Sequence, residues 1–284
     1  MNFGGISYDH KSFEHATFVV VPVPYDLTTS YLAGARKGPS AILDASSQLE
    51  LFDEELRCET YHTGIHTRAP LEVTAHGPET MINVVRREIT EILSCDKIPV
   101  MIGGDHSITV GSVQAMKEKY PSLSVLHLDA HADMRDTYQG TPYSHACVSR
   151  RIFELCPLVQ VGVRSMSAEE AAFMEENSVR MFSPAFINEN TQWEKEICKC
   201  LSDDVYVTID LDAFDPSIMP AVGTPEPGGI MWKDMTRLMR EVAESCKIRG
   251  FDIVELAPIA GMVAPDFTAA KLTYRIMGYI TSAK

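Results

Sequence analysis

Short apolar runs alternate with amphipathic stretches along the whole chain of 284 residues. The apolar runs are rich in β-branched residues, and several are apolar at every position. That pattern is typical of strands whose two faces are both covered by helices. The runs predict strands at residues 18–23, 98–102, 123–128, 158–163, 205–211 and 250–254.

The amphipathic stretches between these runs predict helices at residues 39–50, 78–94, 107–119, 167–177, 190–201, 231–246 and 267–281. The first follows Gly38-Pro39, and proline suits the first turn of a helix. Strands that alternate with helices in this way predict a three-layer α/β/α fold around a mostly parallel sheet. No linker or repeat divides the sequence, so we expect a single domain over residues 1–284.

Four of the predicted strands end in polar residues. In open parallel sheets, functional groups gather at the carboxyl ends of the strands. The four endings are GGDH (103–106), DAHAD (129–133), DLD (210–212) and Glu255. One such motif alone is typical of a turn or a helix cap. Four at successive strand ends favour a shared functional site.

The residues at these endings are those that bind divalent metals. A spacing of two along an extended chain places alternate side chains on one face. Crowded carboxylates disfavour one another's ionisation unless positive charge is present. A set rich in oxygen ligands, with imidazole and without cysteine, favours Mn²⁺, and two ions ~3.5–4 Å apart would acidify a shared water molecule. The candidate ligands are His106, Asp129, His131, Asp133, Asp210 and Asp212.

Composition narrows the classes of partner. The formal net charge is -14 and no basic run occurs, which argues against nucleic acid and anionic membranes and favours small cationic ligands. The seven cysteines form no CxxC pair, as expected in a reducing compartment. The first residues lack the pattern of a signal peptide, and no apolar run reaches the ~20 residues that span a bilayer. We therefore expect a cytoplasmic protein without a membrane segment.

Three sequence blocks together resemble the signatures of the ureohydrolase family, which contains arginase and agmatinase. They are GGDHS (103–107), DAHADMRD (129–136) and TIDLDAFDP (208–216), in the family's order. The resemblance extends from about Pro24 to the C-terminal helix and is strongest to agmatinase. It implies an arginase-like α/β/α domain with about eight strands, two Mn²⁺ per chain, and homotrimers or homohexamers.

The resemblance also implies a role for each candidate ligand. Two residues, His106 and Asp133, match the terminal ligands of one manganese ion, and His131 with Asp212 matches those of the other. The remaining pair, Asp129 and Asp210, matches the bridging carboxylates.

Three catalytic roles follow from the same resemblance. Glu255, in DIVELAP, matches the glutamate that pairs with the substrate guanidinium, and a carboxylate suits that bidentate pairing. Asp133 would also relay the proton of the attacking water. His145, in TPYSHACVSRRI, matches a loop histidine that protonates the leaving amine, as an imidazole can do near neutral pH. The alternatives are a surface strand end for Glu255 and a solvent-facing helix residue for His145.

Agmatine, hydrolysed to putrescine and urea in polyamine biosynthesis, is the first expected substrate. The stretch MRDTYQGTPYS (134–144) lacks the Asn/Ser-rich segment with which arginase recognises an α-carboxylate. We expect Tyr143 and Ser144, together with Tyr138, to lie where the distal end of a substrate would rest; the alternative is that all three are ordinary loop residues. Aminopropylagmatine, guanidinobutyrate and formiminoglutamate remain alternatives. For the last of these, Arg135 could pair with a substrate carboxylate, although we favour a role for Arg135 in balancing the acidic cluster.

Three other classes of protein are considered. A non-catalytic paralogue would lack a ligand or the glutamate, and all are present. A dinucleotide-binding protein would carry GxGxxG after a strand, which is absent from this sequence. A deacetylase of related fold would bind one zinc ion, so metal stoichiometry separates it from a ureohydrolase.

Overall fold

The computed structural model is built on one sheet of eight strands, all parallel to their neighbours. It describes residues 1–283, with the backbone alone for residues 8 and 9. A separate antiparallel hairpin supplies β2 and β3. The strands are β1 (Phe18–Val23), β2 (Phe52–Asp53), β3 (Cys58–Glu59), β4 (Ile65–Thr67), β5 (Ile98–Gly103), β6 (Ser124–Leu128), β7 (Leu158–Val161), β8 (Arg180–Phe182), β9 (Asp204–Asp210) and β10 (Lys247–Val254).

The order of the strands across the sheet is β4, β1, β5, β10, β9, β6, β7 and β8. The prediction of about eight mostly parallel strands is therefore confirmed, and all six predicted strands lie within it. The two strands that were not predicted, β4 and β8, are its edges, and each has only three residues. Edge strands of this length carry too few residues for an apolar pattern to show.

Ten α-helices surround the sheet in the described part of the chain. All seven predicted helices are present. The helix over 78–94 has the predicted bounds and five others have shifted ends, while the helix predicted over 190–201 is shortened to Trp193–Cys198 and is preceded by a separate, unpredicted helix at Pro184–Glu189. Asn190 is extended (φ -118, ψ 131), and its side-chain amide donates back to the carbonyl of Phe186 at 2.8 Å. The helices are α1 (Tyr8–Lys11), α2 (Gly38–Ser46), α3 (Pro78–Ser94), α4 (Thr109–Lys119), α5 (Val148–Phe153), α6 (Ala168–Glu176), α7 (Pro184–Glu189), α8 (Trp193–Cys198), α9 (Trp232–Ser245) and α10 (Ala264–Ser282).

Alternate residues of the buried strands pack on opposite faces of the sheet. In β1, Phe18 and Val20 belong to an apolar cluster that includes side chains of α2, α9 and α10. Val19 and Val21 belong to a second cluster with side chains of α3, α4 and α5. Helices thus cover both faces, which confirms the three-layer fold.

No helix within residues 1–283 is both long enough and apolar enough to cross a membrane.

Candidate metal centre and active-site cleft

The four polar strand endings meet at one edge of the sheet. The strands β5, β10, β9 and β6 are consecutive neighbours in its centre. The strand β5 leads to His106, β10 leads to Glu255 and β6 leads to Asp129, while β9 ends at Asp210. Parallel strands present their carboxyl ends at the same edge, so residues far apart in the sequence come together there. His106 and Glu255, 149 positions apart, are in direct contact.

Asp129 lies at the centre of the candidate metal ligands. Its Oδ2 is 3.2 Å from Nδ1 of His106, and its Oδ1 is 3.5 Å from Nδ1 of His131. Each histidine also faces a second carboxylate. Oδ2 of Asp210 is 3.2 Å from Nδ1 of His106, and Oδ2 of Asp212 is 2.9 Å from Nδ1 of His131. One carboxylate therefore faces two imidazoles through different oxygens, which is the arrangement that a bridging ligand requires.

Backbone N–H groups fix the direction of these carboxylates. The N–H of Asp212 donates to Oδ1 of Asp210 at 2.9 Å, and that of Ala130 donates to Oδ1 of Asp212 at 3.0 Å. In each residue the other oxygen is the one that faces a histidine. Each carboxylate is thus held by one oxygen, while the other is directed into the centre.

Burial and mutual repulsion act against several negative charges in this space. Burial, and then the charges of neighbouring carboxylates, raise the pKa of Asp210 and of Asp133 well above the usual aspartate value. Burial opposes ionisation of Asp129 too, but its three histidine neighbours outweigh it and hold that pKa well below the usual value. Burial disfavours protonated His131, yet its carboxylate partners raise its pKa to about 12. The cluster therefore favours added positive charge.

The geometry of His106 fits a bound metal ion. Its Nδ1 is buried and makes no hydrogen bond, although two carboxylate oxygens lie 3.2 Å away. A buried nitrogen without a partner is costly unless something satisfies it. Two groups of side chains could each hold an ion, and they share Asp129: one is His106 with His127 and Asp129, and the other is Asp129 with His131 and Asp212. Carboxylate oxygens with imidazole nitrogens suit a divalent cation such as Mn²⁺.

A buried hydrogen-bond chain fixes the proton of His106 on the far side of its ring. Nε2 is 2.8 Å from the hydroxyl of Thr208. That hydroxyl donates to Oδ1 of Asp252 at 2.5 Å, and Tyr206 donates to Oδ2 at 2.7 Å. Because the one proton of Thr208 goes to the carboxylate, its oxygen can only accept from Nε2–H. Nδ1 is then left with a free lone pair directed at the carboxylates, as metal ligation requires.

His127 is a functional candidate that was missing from the sequence interpretation. Its Nε2 lies 2.9 Å from Oδ2 of Asp129, and its Nδ1 lies 2.6 Å from the hydroxyl of Ser149. Gln160 in turn donates to that hydroxyl at 3.0 Å. The available signal was the alternation of DAHAD, which continues two residues upstream to His127.

The glycine pair before His106 does not form a left-handed turn but allows two backbone segments to pack closely. Neither Gly103 nor Gly104 has the left-handed backbone that favours glycine. A Cβ on Gly104 would instead lie 1.9 Å from the carbonyl oxygen of Tyr25. Glycine is therefore needed at position 104 because two backbone segments approach each other closely there.

A cleft of about 290 Å³ opens above the metal-site candidates. His106 and Asp129 lie beneath it and are fully buried. Arg135 and Tyr138 also line it, with the guanidinium 5.3 Å from the ring centre. The six predicted site residues in its walls are His131, Asp133, His145, Asp210, Asp212 and Glu255.

Glu255 is held in an unusual backbone conformation at the floor of the cleft. Its φ is 67°, a value that non-glycine residues seldom adopt. Its N–H donates to the carbonyl of Gly104 at 2.8 Å, and its Oε1 accepts from the N–H of His106 at 2.7 Å. Burial, followed by the charges of Asp210 and Asp105, raises its pKa well above the usual glutamate value. The positive charge of a bound guanidinium would offset the cost of ionising Glu255 in this buried position.

His145 reaches the same cleft from the loop before α5. It begins a short 3-10 turn, His145–Cys147, and its ring is edge-on to Tyr138 with centres 5.9 Å apart. Burial lowers its pKa. Ser144 is buried with its hydroxyl 3.2 Å from Nδ1 of His145, and Tyr143 packs against the second apolar cluster. Neither of these two lines the cleft, so their contact with substrate stays a prediction.

Two further elements of the site had no signal in the sequence patterns considered. The loop after β1 contributes residues 29–32 to the cleft, and Thr28 contacts His145. The guanidinium of Arg164 donates to the carbonyls of Asp212 at 2.8 Å and Glu226 at 2.7 Å. Arg164 thereby ties the segment after β9 to the loop at residues 224–229. These contacts join distant segments, so spacing along the chain does not reveal them.

Comparison with known proteins agrees with this geometry. Residues 16–278 match the model of the arginase family. The chain is 41% identical over 276 residues to N(1)-aminopropylagmatine ureohydrolase of Synechocystis sp., covering 94% of this chain and 90% of that protein. It is 31% identical over 254 residues to agmatinase of Bacillus cereus, covering 88% and 87%. Agmatine ureohydrolase of Thermoplasma volcanium superposes with a TM-score of 0.90 at 32% identity, over 99% of this chain and 95% of that one.

Proposed function

The chain belongs to the arginase family of ureohydrolases, and we propose that it releases urea from a linear guanidinoalkylamine at a pair of Mn²⁺ ions. The observation that carries this proposal is the unpartnered Nδ1 of His106, which faces two carboxylates directly below a cleft containing Glu255. When bound, the two ions would acidify a water molecule and stabilise negative charge as it develops. His106, Asp129, His131, Asp133, Asp210 and Asp212 would hold them.

Glu255 would bind and orient the guanidinium. Its carboxylate lines the cleft and is already held by the N–H of His106, so little motion is needed when substrate arrives. A charge-assisted pair with guanidinium N–H groups would place the guanidinium carbon over the centre.

Asp133 and His145 would move the protons. Asp133 lies in the wall of the cleft and would accept the proton of the attacking water. Water adds its oxygen to the guanidinium carbon, and the bond from that carbon to the alkylamine nitrogen breaks. His145 would give a proton to the departing amine, so that urea and a free amine are formed.

Aminopropylagmatine is our first candidate substrate and agmatine our second. Sequence patterns alone placed agmatine first. The 41% identity to an aminopropylagmatine ureohydrolase, against 31% to an agmatinase, favours the longer substrate. Both carry several positive charges, which suits a chain with a net charge of -14. A cleft of about 290 Å³ is at the small end for ligand sites, as a slender substrate requires.

Urea release by the Mn²⁺-loaded protein tests the reaction and the substrate together. The panel contains aminopropylagmatine, agmatine, arginine, guanidinobutyrate and guanidinopropionate, with formamide release from formiminoglutamate in parallel. We expect the highest kcat/KM for aminopropylagmatine and a measurable value for agmatine. Preference for a carboxylate-bearing guanidine would contradict the substrate class, and no turnover of any compound would contradict the function.

Glu255→Gln is the sharpest variant for this proposal. The amide keeps the shape but loses the charge that pairs with a guanidinium. We expect kcat/KM to fall at least about 100-fold, because a charged pair at the reacting group is lost, while Mn²⁺ content stays at two per chain. Near-normal turnover would show that Glu255 does not bind the guanidinium.

Four further expectations belong to the same proposal. They are manganese as the native metal at two ions per chain, assembly into homotrimers or homohexamers, a cytoplasmic location, and one domain over residues 1–284. Elemental analysis after purification without added metal would test the first, and light scattering would test the second. One zinc ion per chain would instead favour the deacetylase alternative.

A further inference from the structure

Hydroxyl groups contact both ring nitrogens and the backbone N–H of His145. Its Nδ1 is 3.3 Å from the hydroxyl oxygen of Thr28 and 3.2 Å from that of Ser144. Its Nε2 is 3.5 Å from the hydroxyl oxygen of Ser30. Its backbone N–H donates to the hydroxyl oxygen of Thr28 at 3.0 Å. Thr28 therefore contacts both the main chain and the ring of a residue 117 positions away.

Thr28 is itself fixed by Asp105. The N–H and the hydroxyl of Thr28 both donate to Oδ2 of Asp105, at 2.9 Å and 3.0 Å. The N–H and the hydroxyl of Ser107 donate to the other oxygen of Asp105, at 3.1 Å and 2.5 Å. Asp105 is fully buried, and its own N–H donates to the carbonyl of Tyr25 at 2.7 Å. A carboxylate with four donors inside the core is a rigid support.

The Thr28 hydroxyl has a single proton, and this determines which hydrogen bonds it can make with His145. A hydroxyl has one proton and two acceptor sites. Its proton goes to Oδ2 of Asp105, which also accepts the N–H of Thr28. One acceptor site takes the backbone N–H of His145, and the other faces Nδ1. Thr28 can therefore only accept from Nδ1, which favours the ring form that carries its proton there.

We propose that Thr28 is the positioning residue of His145, holding its loop and keeping a proton on Nδ1 so that Nε2 serves the cleft. This inference rests on the proposed function, in which His145 protonates the leaving amine. The doubly protonated ring gives its Nε2 proton to the amine nitrogen as the bond from carbon to nitrogen breaks. The neutral ring that remains carries Nδ1–H, which Thr28 accepts. The next proton comes from solvent through the open cleft.

The kinetic test compares Thr28→Val with Thr28→Ser. Valine keeps the shape and removes the hydroxyl, whereas serine keeps the hydroxyl. We expect Thr28→Val to lower kcat about 10-fold to 100-fold with KM changed less than about threefold, because general acid catalysis contributes about 10² or more. Thr28→Ser should retain most of the activity. The matched control is Thr273→Val, since Thr273 is a buried threonine on α10 whose hydroxyl bonds to the carbonyl of Ala269.

Two comparisons separate positioning from a general structural effect. In an His145→Asn background, Thr28→Val should cost less than about threefold in kcat, since residues that act as a unit are not additive. Mn²⁺ affinity, measured by titration calorimetry, should stay within about threefold of wild type. An equal loss of kcat in both backgrounds, or a parallel loss of Mn²⁺ affinity, would overturn the proposal and point to an effect through Asp105 on the metal site.

An NMR measurement tests the same inference without any turnover. In metal-free protein labelled with ¹⁵N-histidine, the His145 signals are identified by their loss in His145→Asn. At alkaline pH, the neutral ring should carry its proton mainly on Nδ1 in wild type and shift towards Nε2–H in Thr28→Val. An Nε2–H ring in wild type would overturn the proposal. Wild-type protein that releases no urea yet shows the Nδ1–H ring would contradict the proposed function alone.

Discussion

Gly104→Ala should damage the metal site through a collision between two backbone segments. The added Cβ would lie 1.9 Å from the carbonyl oxygen of Tyr25, whereas real Cβ contacts essentially never fall below 3.0 Å. One segment must therefore retreat by about 1 Å. The same carbonyl accepts the N–H of Asp105 at 2.7 Å, and Gly104 accepts the N–H of Glu255 at 2.8 Å. A shift of this size would break at least one of these bonds and displace His106.

The expected loss of stability has two contributions, overpacking and a lost hydrogen bond. Overpacking costs about 1–3 kcal/mol, and one lost hydrogen bond costs about 1 kcal/mol, so stability should fall by about 2–4 kcal/mol. For a chain of 284 residues that corresponds to a Tm lower by roughly 3–7 °C. Metal sites accept deviations of only about 0.2 Å, and a misplacement of about 1 Å can cost about 100-fold in rate. Mn²⁺ affinity and kcat should therefore both fall by at least about tenfold.

Thermal unfolding of the metal-free protein, titration with Mn²⁺ and urea release would together measure this effect. Gly77→Ala is the matched control, because a Cβ there meets no atom within 4 Å although φ is 93°. It should cost about 1–3 kcal/mol through backbone strain alone and leave Mn²⁺ affinity unchanged. If Gly104→Ala kept wild-type Mn²⁺ affinity and a Tm within about 2 °C, the close approach would not constrain the site.

Three other predictions concern the framework around the site. The side chain of Arg275 is 4% exposed and lies among three acidic residues of the β2–β3 hairpin, so Arg275→Ala should lower the free energy of unfolding by about 3–5 kcal/mol. Arg240→Ala, at a side chain 53% exposed, should lower it by less than about 1 kcal/mol in the same urea denaturation. Equal losses in the two variants would refute the argument. Thr208→Val should weaken Mn²⁺ binding about 10-fold to 100-fold by removing the acceptor of His106 Nε2–H, with Thr208→Ser restoring it in calorimetry; an unchanged affinity would refute the role of this chain. The hydroxyl and N–H of a serine and two glycine N–H groups lower the pKa of Asp215 to about 2, so its charged form stabilises the fold above about pH 4 and this contribution is lost as pH falls towards 2. The stability difference between wild type and Asp215→Asn should shrink over that range, and a difference independent of pH would contradict this assignment.

The central strands and their endings could be predicted because both follow from local patterns. Apolar runs mark β5, β6, β9 and β10, and the polar residues after each run stand out against them. The rule that parallel strands share one edge then brings the endings together without knowledge of the strand order. The order itself, with these four strands as consecutive neighbours, is not contained in the pattern. Neither are the edge strands β4 and β8, whose three residues carry no period.

The supporting residues could not be predicted because their partners are distant in the sequence. Thr28 contacts His145, and Asp252 acts on His106 through Thr208, in each case across more than 100 positions. A buried threonine or aspartate in an apolar run resembles any satisfied core residue until its neighbours are known. The ligands carry their signal in their own spacing, whereas these supports carry theirs only in the fold.

Backbone strain distinguishes two of the candidate catalytic residues from the remaining candidate site residues. Asp133 (φ 51) and Glu255 (φ 67) adopt the left-handed region, which aspartate tolerates better than glutamate. Such a conformation costs about 1–3 kcal/mol and persists only where the surrounding structure enforces it. Glycine would remove that cost, but it would also remove the carboxylate from the cleft. Both positions therefore keep a carboxylate although it costs stability. The proposed roles of Asp133 in proton transfer and of Glu255 in guanidinium binding would explain why.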